Sequence, residues 1–309
     1  MLPLLSPIIG HGIWIWELEP SILVGLAVWT LAYLALTGRL RRRYPVVGPA
    51  SRARQAAFHA GTLIALVALV SPLDYLADHF LLSAHMVQHL LLLMVAPPLW
   101  LIGLPPVNLA ENAIPGGLRR LLVLVTHPIF AFILYNAVLF GWHIPQAYDA
   151  ALYHPGWHIL EHLSFLAVAF LGWWPVLGCL PRLVPRAGEP AQLFYLFLMM
   201  LSSTLLGAVL TLAKNPIYPF YLNAPGVVNG LVLPPAAGGP RLWGLLPLAD
   251  QQISGLIMWI PGNMLYFGAL MVVLSGWLRG QEKRAREREA LEFAGTNPGQ
   301  RQDGSPRGL

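Results

Sequence analysis

Seven long stretches of this chain carry almost no charge: residues 21–37, 56–71, 78–102, 127–143, 157–180, 192–213 and 252–278. A helix needs about 20 apolar residues to cross a hydrocarbon core of roughly 30 Å. Inside that core every backbone N–H and C=O must find its partner within the protein, and a continuous apolar run meets the demand only as a helix. The pattern therefore predicts an all-α membrane protein, a bundle of about seven transmembrane helices. The second and fourth stretches are short for a full crossing, so their ends should reach into the flanking polar sequence. Composition agrees, since 56% hydrophobic and 11% charged residues cannot cover a 309-residue globule with polar surface. The single cysteine, Cys179, excludes an intrachain disulfide and any CxxC site.

The connections between these stretches alternate in charge. Arg39, Arg41, Arg42, Arg43, Arg52 and Arg54 lie in one, Arg119 and Arg120 in another, and Arg182 and Arg186 in a third. With the basic residues of the tail they make up 17 of the 19 Lys and Arg, and only Lys214 and Arg241 fall in the other set. Basic loops stay on the cytoplasmic side, so the N-terminus is expected outside and the C-terminus in the cytoplasm. The same topology accounts for the net charge of +5 without a nucleic-acid partner. Residues 1–20, with Trp14 and Trp16, read as an outer interfacial segment, and 21–278 as the transmembrane domain. Residues 279–309 read as a charged cytoplasmic tail that continues the last helix briefly, through Glu282, Arg286 and Glu289, and then disorders. The Pro- and Gly-rich connection 213–251 is too long for a turn and is expected to fold over the outer face.

Against this background the histidines stand out. His79, His85, His89, His143, His154, His158 and His162 all fall near the end opposite the arginines. Asp78, Leu82, His85 and His89 recur at helical spacing, and on one continuous helix His85 would lie roughly 10 Å and His89 roughly 16 Å from Asp78. Imidazoles at i and i+4 can grip one metal ion. Met86 adds a soft thioether, while Pro97 and Pro98 should kink or end the helix. The fifth stretch repeats the device with His158 and His162 around Glu161, and the fourth ends in Trp142, His143 and Pro145. Lone histidines such as His11, His59 and His127 are more often packing residues. Paired ionisable groups in a span are costly and mark a site. In the seventh stretch Met258 lies two turns inside a polar entry, and Asp250 either orients a histidine ring or is the N-cap of that stretch's own helix. The adjacent Met199 and Met200 read as packing.

Several runs together carry a resemblance. Ser71-Pro72-Leu73-Asp74, the His85-Met86-Val87-Gln88-His89 helix leading into Ala96-Pro97-Pro98-Leu99, and the Trp142-His143-Ile144-Pro145 corner are similar to the multi-pass CtaG family of cytochrome c oxidase assembly proteins. So are Glu161-His162, Trp173-Trp174-Pro175-Val176 and the stretch from Asp250-Gln251-Gln252 to Met258-Trp259. The resemblance runs from about residue 55 to 278. It implies a bacterial plasma-membrane protein, not an enzyme, that helps assemble a haem-copper oxidase and partners one of its subunits.

The residues fit a copper cargo on their own terms. Imidazole and thioether suit copper, and the absence of thiolates leaves the ion free to move on. The ligand set expected is His85, His89, His143, His158, His162, Met86 and Met258, supported by Asp78, Glu161 and Asp250, with copper arriving from an extracytoplasmic donor and leaving by ligand exchange. Three rivals stay open: a b-type cytochrome with haem between His89 and His162, a proton or metal transporter with a histidine relay, and a metal-free scaffold for oxidase subunits.

Overall fold

A computed structural model describes residues 8–11, 14–110, 113–223, 226–228, 231–233 and 242–295. A short hairpin, β1 Ile8–His11 and β2 Trp14–Glu17, leads into α1 Pro20–Ala35, whose first turn is set by its proline. A wide turn, Leu36–Leu40, joins α1 to α2 Arg41–Arg43. Ser51 caps α3 Arg52–Val70 by accepting from the Arg54 amide, and Ser71 caps α4 Pro72–His79 by accepting from the Leu73 amide. Next come α5 Leu82–Leu90 and α6 Ala96–Gly103, then α7 Gly116–Val125 and α8 Pro128–Trp142, bent by 64°. The amphipathic α9 Pro145–Tyr153 precedes α10 Pro155–Leu177 and α11 Glu189–Leu212. After α12 Pro219–Leu222 and the hairpin β3 Gly226–Val228 with β4 Leu231–Leu233 comes α13 Pro247–Gly295.

Six of these helices are long and apolar enough to cross a bilayer, or seven if the bent α7–α8 pair is one span. The fold is thus the expected all-α bundle, and Val24, Val28, Leu31 and Val272, each at least 60% exposed, give it the apolar exterior that lipid accepts. In the tail α13 continues through Glu282, Arg286 and Glu289 to Gly295, supported by i,i+4 ion pairs from Arg286 to Glu282 at 2.6 Å and Lys283 to Glu287 at 3.8 Å. Its expected disorder beyond 295 lies outside the described residues.

The third span needs one correction, at Asp78, and one choice between the outcomes expected at its prolines. Asp78 does not share a helix with His85, because Phe80 and Leu81 interrupt it. Leu81 is extended, at φ −130° and ψ 120°, and both side chains are buried against Leu242 and its neighbours. The prolines, in turn, do not end the helix. A π-turn over Leu91–Val95, closed by the Ala96 amide on the Leu91 carbonyl, widens the backbone and leads directly into α6, with proline in its first turn. Trp173 donates to the Leu93 carbonyl inside that turn at 3.1 Å.

Packing forms two bodies. The larger core joins α5, α8, α10, α11 and α13, and the smaller joins α1, α3 and α6 around Tyr33 and Phe58, whose rings stack at 3.7 Å. Gly103 lets α6 touch α3, since a Cβ there would lie 2.7 Å from the Phe58 amide nitrogen. The arginine-rich connections gather at one end, where Val107 bonds Cys179 and Arg54 bonds the carbonyls of Ile102 and Leu104. At the other end α4, α9, α12 and β2 close over the histidines: Tyr221 donates to the Ala77 carbonyl at 2.7 Å and Tyr218 to the His143 carbonyl at 3.1 Å.

Candidate metal centre

The two histidine pairs face each other across the α5–α10 contact. Each pair is spaced by one helical turn, with ring centroids 4.1 Å apart for His85 and His89 and 4.2 Å for His158 and His162. Between helices, His89 and His162 lie 5.9 Å apart and His85 and His158 also 5.9 Å. One ligand atom from each of His85, His89, Glu161 and His162 falls within 4.8 Å of the other three, and all four side chains are buried. Ligand bonds of about 2.0–2.1 Å put tetrahedral ligand atoms roughly 3.4 Å apart, so these four need to draw in by little more than an ångström.

A second group shares His85 with the first. Its Nδ1 lies 4.0 Å from Asp78, and His158 Nδ1 lies 3.4 Å from the other oxygen of that carboxylate. The break at Leu81 makes this contact, because it folds α4 back until the Asp78 carboxylate meets the first turn of α5. Burial, and secondarily the charge of Glu17, pushes the Asp78 carboxyl well above its ordinary range, and burial with the neighbouring charge of Asp78 does the same to Asp74. A cation at Asp78 would restore the balance. A cavity of about 700 Å³ lined by Glu17, Glu19, Asp74, Asp78, His158 and His162 adjoins this group.

Buried polar atoms in proteins are nearly always bonded. Here, among the described residues, both ring nitrogens of His85 and of His89, both oxygens of Glu161, and Nε2 of His143, His158 and His162 have no hydrogen-bond partner. Glu161 comes no closer to His89 than 3.6 Å. One lone pair from each of these rings and those of the carboxylate fit a cation, which would take them together.

The remaining sequence candidates fall in distinct places. His143 sits 6.0 Å from His89, ring to ring, but outside both groups of converging ligand atoms, and its Nδ1 is engaged with the Leu139 carbonyl at 2.7 Å. Met86 and Met258 line a small cavity beneath His89, apart from the four-residue cluster. Asp250 caps the helix that carries the first histidine pair: its carboxylate accepts from the amides of Leu82 at 2.7 Å and Ser83 at 3.1 Å. Of the lone histidines, His59 packs on Tyr33 and Phe58, and His127 accepts from the Ile129 amide at the start of α8. Sequence reasoning missed Tyr148, whose ring lies 5.2 Å from His85, and Gln88, which donates to Asp74 and to the Ala68 carbonyl. Gln88 could have been noticed as a polar residue on the apolar stretch, one position before His89.

The family model for the cytochrome c oxidase caa3 assembly factor matches residues 31–280. The chain belongs to this family. Similar chains include an uncharacterized protein of Mycobacterium bovis and another of Mycobacterium tuberculosis, each 26% identical over 92% of this chain and 42% of its own length. A third, from Mycobacterium leprae, is 28% identical over 67% of this chain and 31% of its own length. The chain therefore spans less than half the length of the curated relatives it matches. No solved structure matches it significantly. Every member of the two ligand groups falls within the part matched by this caa3 assembly-factor family.

Proposed function

We propose that this assembly factor is a multi-pass protein of the bacterial plasma membrane that holds copper for a haem-copper oxidase subunit. The holding site is His85, His89, Glu161 and His162, and Asp78 with His158 forms the way in. One observation carries the reading: nitrogen and oxygen ligand atoms from two helices converge in a buried place where, among the described residues, no hydrogen bond satisfies them. His85 belongs to both groups. An ion held by Asp78, His85 and His158 can therefore gain His89, Glu161 and His162 one at a time without ever being bare, and can leave in the same way. This is ligand exchange, and no bond of the cargo is made or broken besides those to the metal. The charge balance supports an outward-facing entrance, since the histidine end carries Glu17, Glu19, Asp74 and Asp78 while the arginines lie at the other.

The haem alternative meets a spatial objection. His89 and His162 are well spaced for two axial ligands, but His85 and Glu161 each place a ligand atom within 4.8 Å of both, where a porphyrin would have to pass.

The test is metal analysis of the purified full chain after loading with cuprous ion under reducing conditions. Wild type should retain copper at the histidine site and His85→Ala/His89→Ala should lose it, with oxidase from cells carrying that variant deficient in copper. Copper retained in full by the double variant, or absent from the wild type, would overturn the reading. A reduced-minus-oxidised haem band in the purified protein would put the cytochrome in its place.

A further inference from the structure

Directly beneath the histidine cluster lies a second chamber of different chemistry. It encloses about 30 Å³, and four of the chain's eight methionines line it: Met86, Met94, Met199 and Met258. They come from separate pieces of backbone, α5, the π-turn, α11 and α13, and none is more than 8% exposed. The π-turn has a part in this. A turn closed between residues five apart brings i and i+5 to one face, so Met94 follows His89 inward where an α-helical turn would carry it round the side. His89 lines the chamber as well, 1% exposed and with both ring nitrogens unbonded among the described residues.

Methionine fills irregular gaps in many cores, and four in one place could be no more than that. The imidazole alters the account, because a buried ring with no hydrogen-bond partner is not a packing residue. It shares with four methionines the lining of a space that would take a single small sphere.

We propose that this chamber is a second, inner metal station selective for a soft monovalent cation, cuprous copper in the cell, reached through His89. The inference rests on the metal-holding reading above and adds to it the oxidation state of the cargo and a direction of travel. Charge decides the selectivity. The four-residue cluster contains the carboxylate of Glu161 and can balance part of a divalent charge. The chamber beneath is lined by thioethers, the His89 imidazole and the hydroxyl side chains of Tyr135, Ser203 and Tyr266, with no carboxylate among them, and the cost of burying an ion rises with the square of its charge. Ligand type decides in the same direction, since thioethers take cuprous ion and leave zinc to nitrogen and oxygen. Along the path the ligands change from carboxylate and imidazole at Asp78 and His158, through the His85, His89, Glu161 and His162 cluster, to thioether. A cuprous ion keeps its oxidation state throughout, so no electron donor is needed.

Silver(I), a redox-inert stand-in, and zinc separate the two sites. Wild-type full chain in detergent should bind one more equivalent of silver than of zinc, and silver-loaded protein should show sulfur neighbours in its X-ray absorption spectrum. Met94→Leu/Met199→Leu, a near-isosteric pair, should lose the extra equivalent and the sulfur signal, with zinc binding unchanged. His85→Ala/His162→Ala should lose zinc and keep sulfur-bound silver. Absence of sulfur neighbours in silver-loaded wild type, or an unchanged silver count in the methionine variant, overturns the inner station and leaves the histidine site standing. Failure of the histidine reading has its own mark, which is zinc and cuprous ion unbound by the wild type.

Discussion

The α11–α13 pair and the α5–α10 pair are both built from apolar helices that carry a few polar side chains, yet they treat those side chains in opposite ways. In α11–α13 the backbones close on each other at Gly207 and Gly255, where a Cβ on the second would lie 2.6 Å from the carbonyl oxygen of the first. The polar groups there are stitched across: Ser203 donates to the Met258 carbonyl at 3.0 Å, Asn263 to Thr204 at 2.6 Å, and Gln251 accepts from the Ile217 amide at 2.6 Å. In α5–α10 the histidines and Glu161 face one another with lone pairs and protons to spare. A polar group in a membrane bundle can serve as glue or be held in reserve, and its hydrogen bonds tell which. The first pair holds the bundle together, and the second is held in place by it.

If that division is right, the largest loss of stability comes from the stitched pair. Gly255→Leu forces α11 and α13 apart and should cost roughly 3 kcal/mol or more, seen as a fall in Tm in detergent or as failure to accumulate. A wild-type-like Tm would show that the close approach does not carry the bundle. The reserve pair should respond to ligand instead. At a free ion concentration one hundred times Kd, binding to the folded state alone adds about 2.7 kcal/mol. Cuprous ion should therefore raise the Tm of wild type and leave that of His85→Ala/His89→Ala where it was.

The division was only half legible in the sequence. The spans could be read because apolar length is a local property, and the i,i+4 pairs because helical period is local too. Facing of the two pairs followed from their common position near one end. The break at Leu81 was not legible, since what stabilises it is the carboxylate of Asp250, which bonds the amide of Leu82 from 168 positions further along the chain. Asp78 therefore reaches His85 by a fold in the backbone that helical geometry would have placed roughly 10 Å away. The thioether chamber was hidden for a related reason. Met94 reaches it through a π-turn that a run of leucines does not announce, and Met199 looked like half of an ordinary apolar pair.

Asp250 links the two pairs, since it sits on α13 and caps α5. Asp250→Ala should cost about 1–2 kcal/mol, the ordinary worth of a cap. It should also weaken metal binding, because α5 loses the group that fixes its first turn. Asp250→Asn keeps an oxygen acceptor and should recover most of both. A variant that binds metal normally at reduced Tm would separate capping from the site.

The smallest expected change is the most discriminating. Buried polar clusters are often replaced by apolar residues of similar volume at no cost, or with a gain, when their bonds were never made. His85→Leu/His89→Leu should therefore leave the unfolding free energy of metal-free protein within about 0.5 kcal/mol of wild type, or raise it, while abolishing copper retention. Ser203→Ala, a far milder change in chemistry, removes a made bond and should lower the unfolding free energy by about 1 kcal/mol, seen as a fall in Tm. If the histidine variant instead falls further than Ser203→Ala in the absence of metal, the imidazoles are glue after all. In that case the contrast between the two helix pairs fails, and the copper reading must then rest on binding data alone.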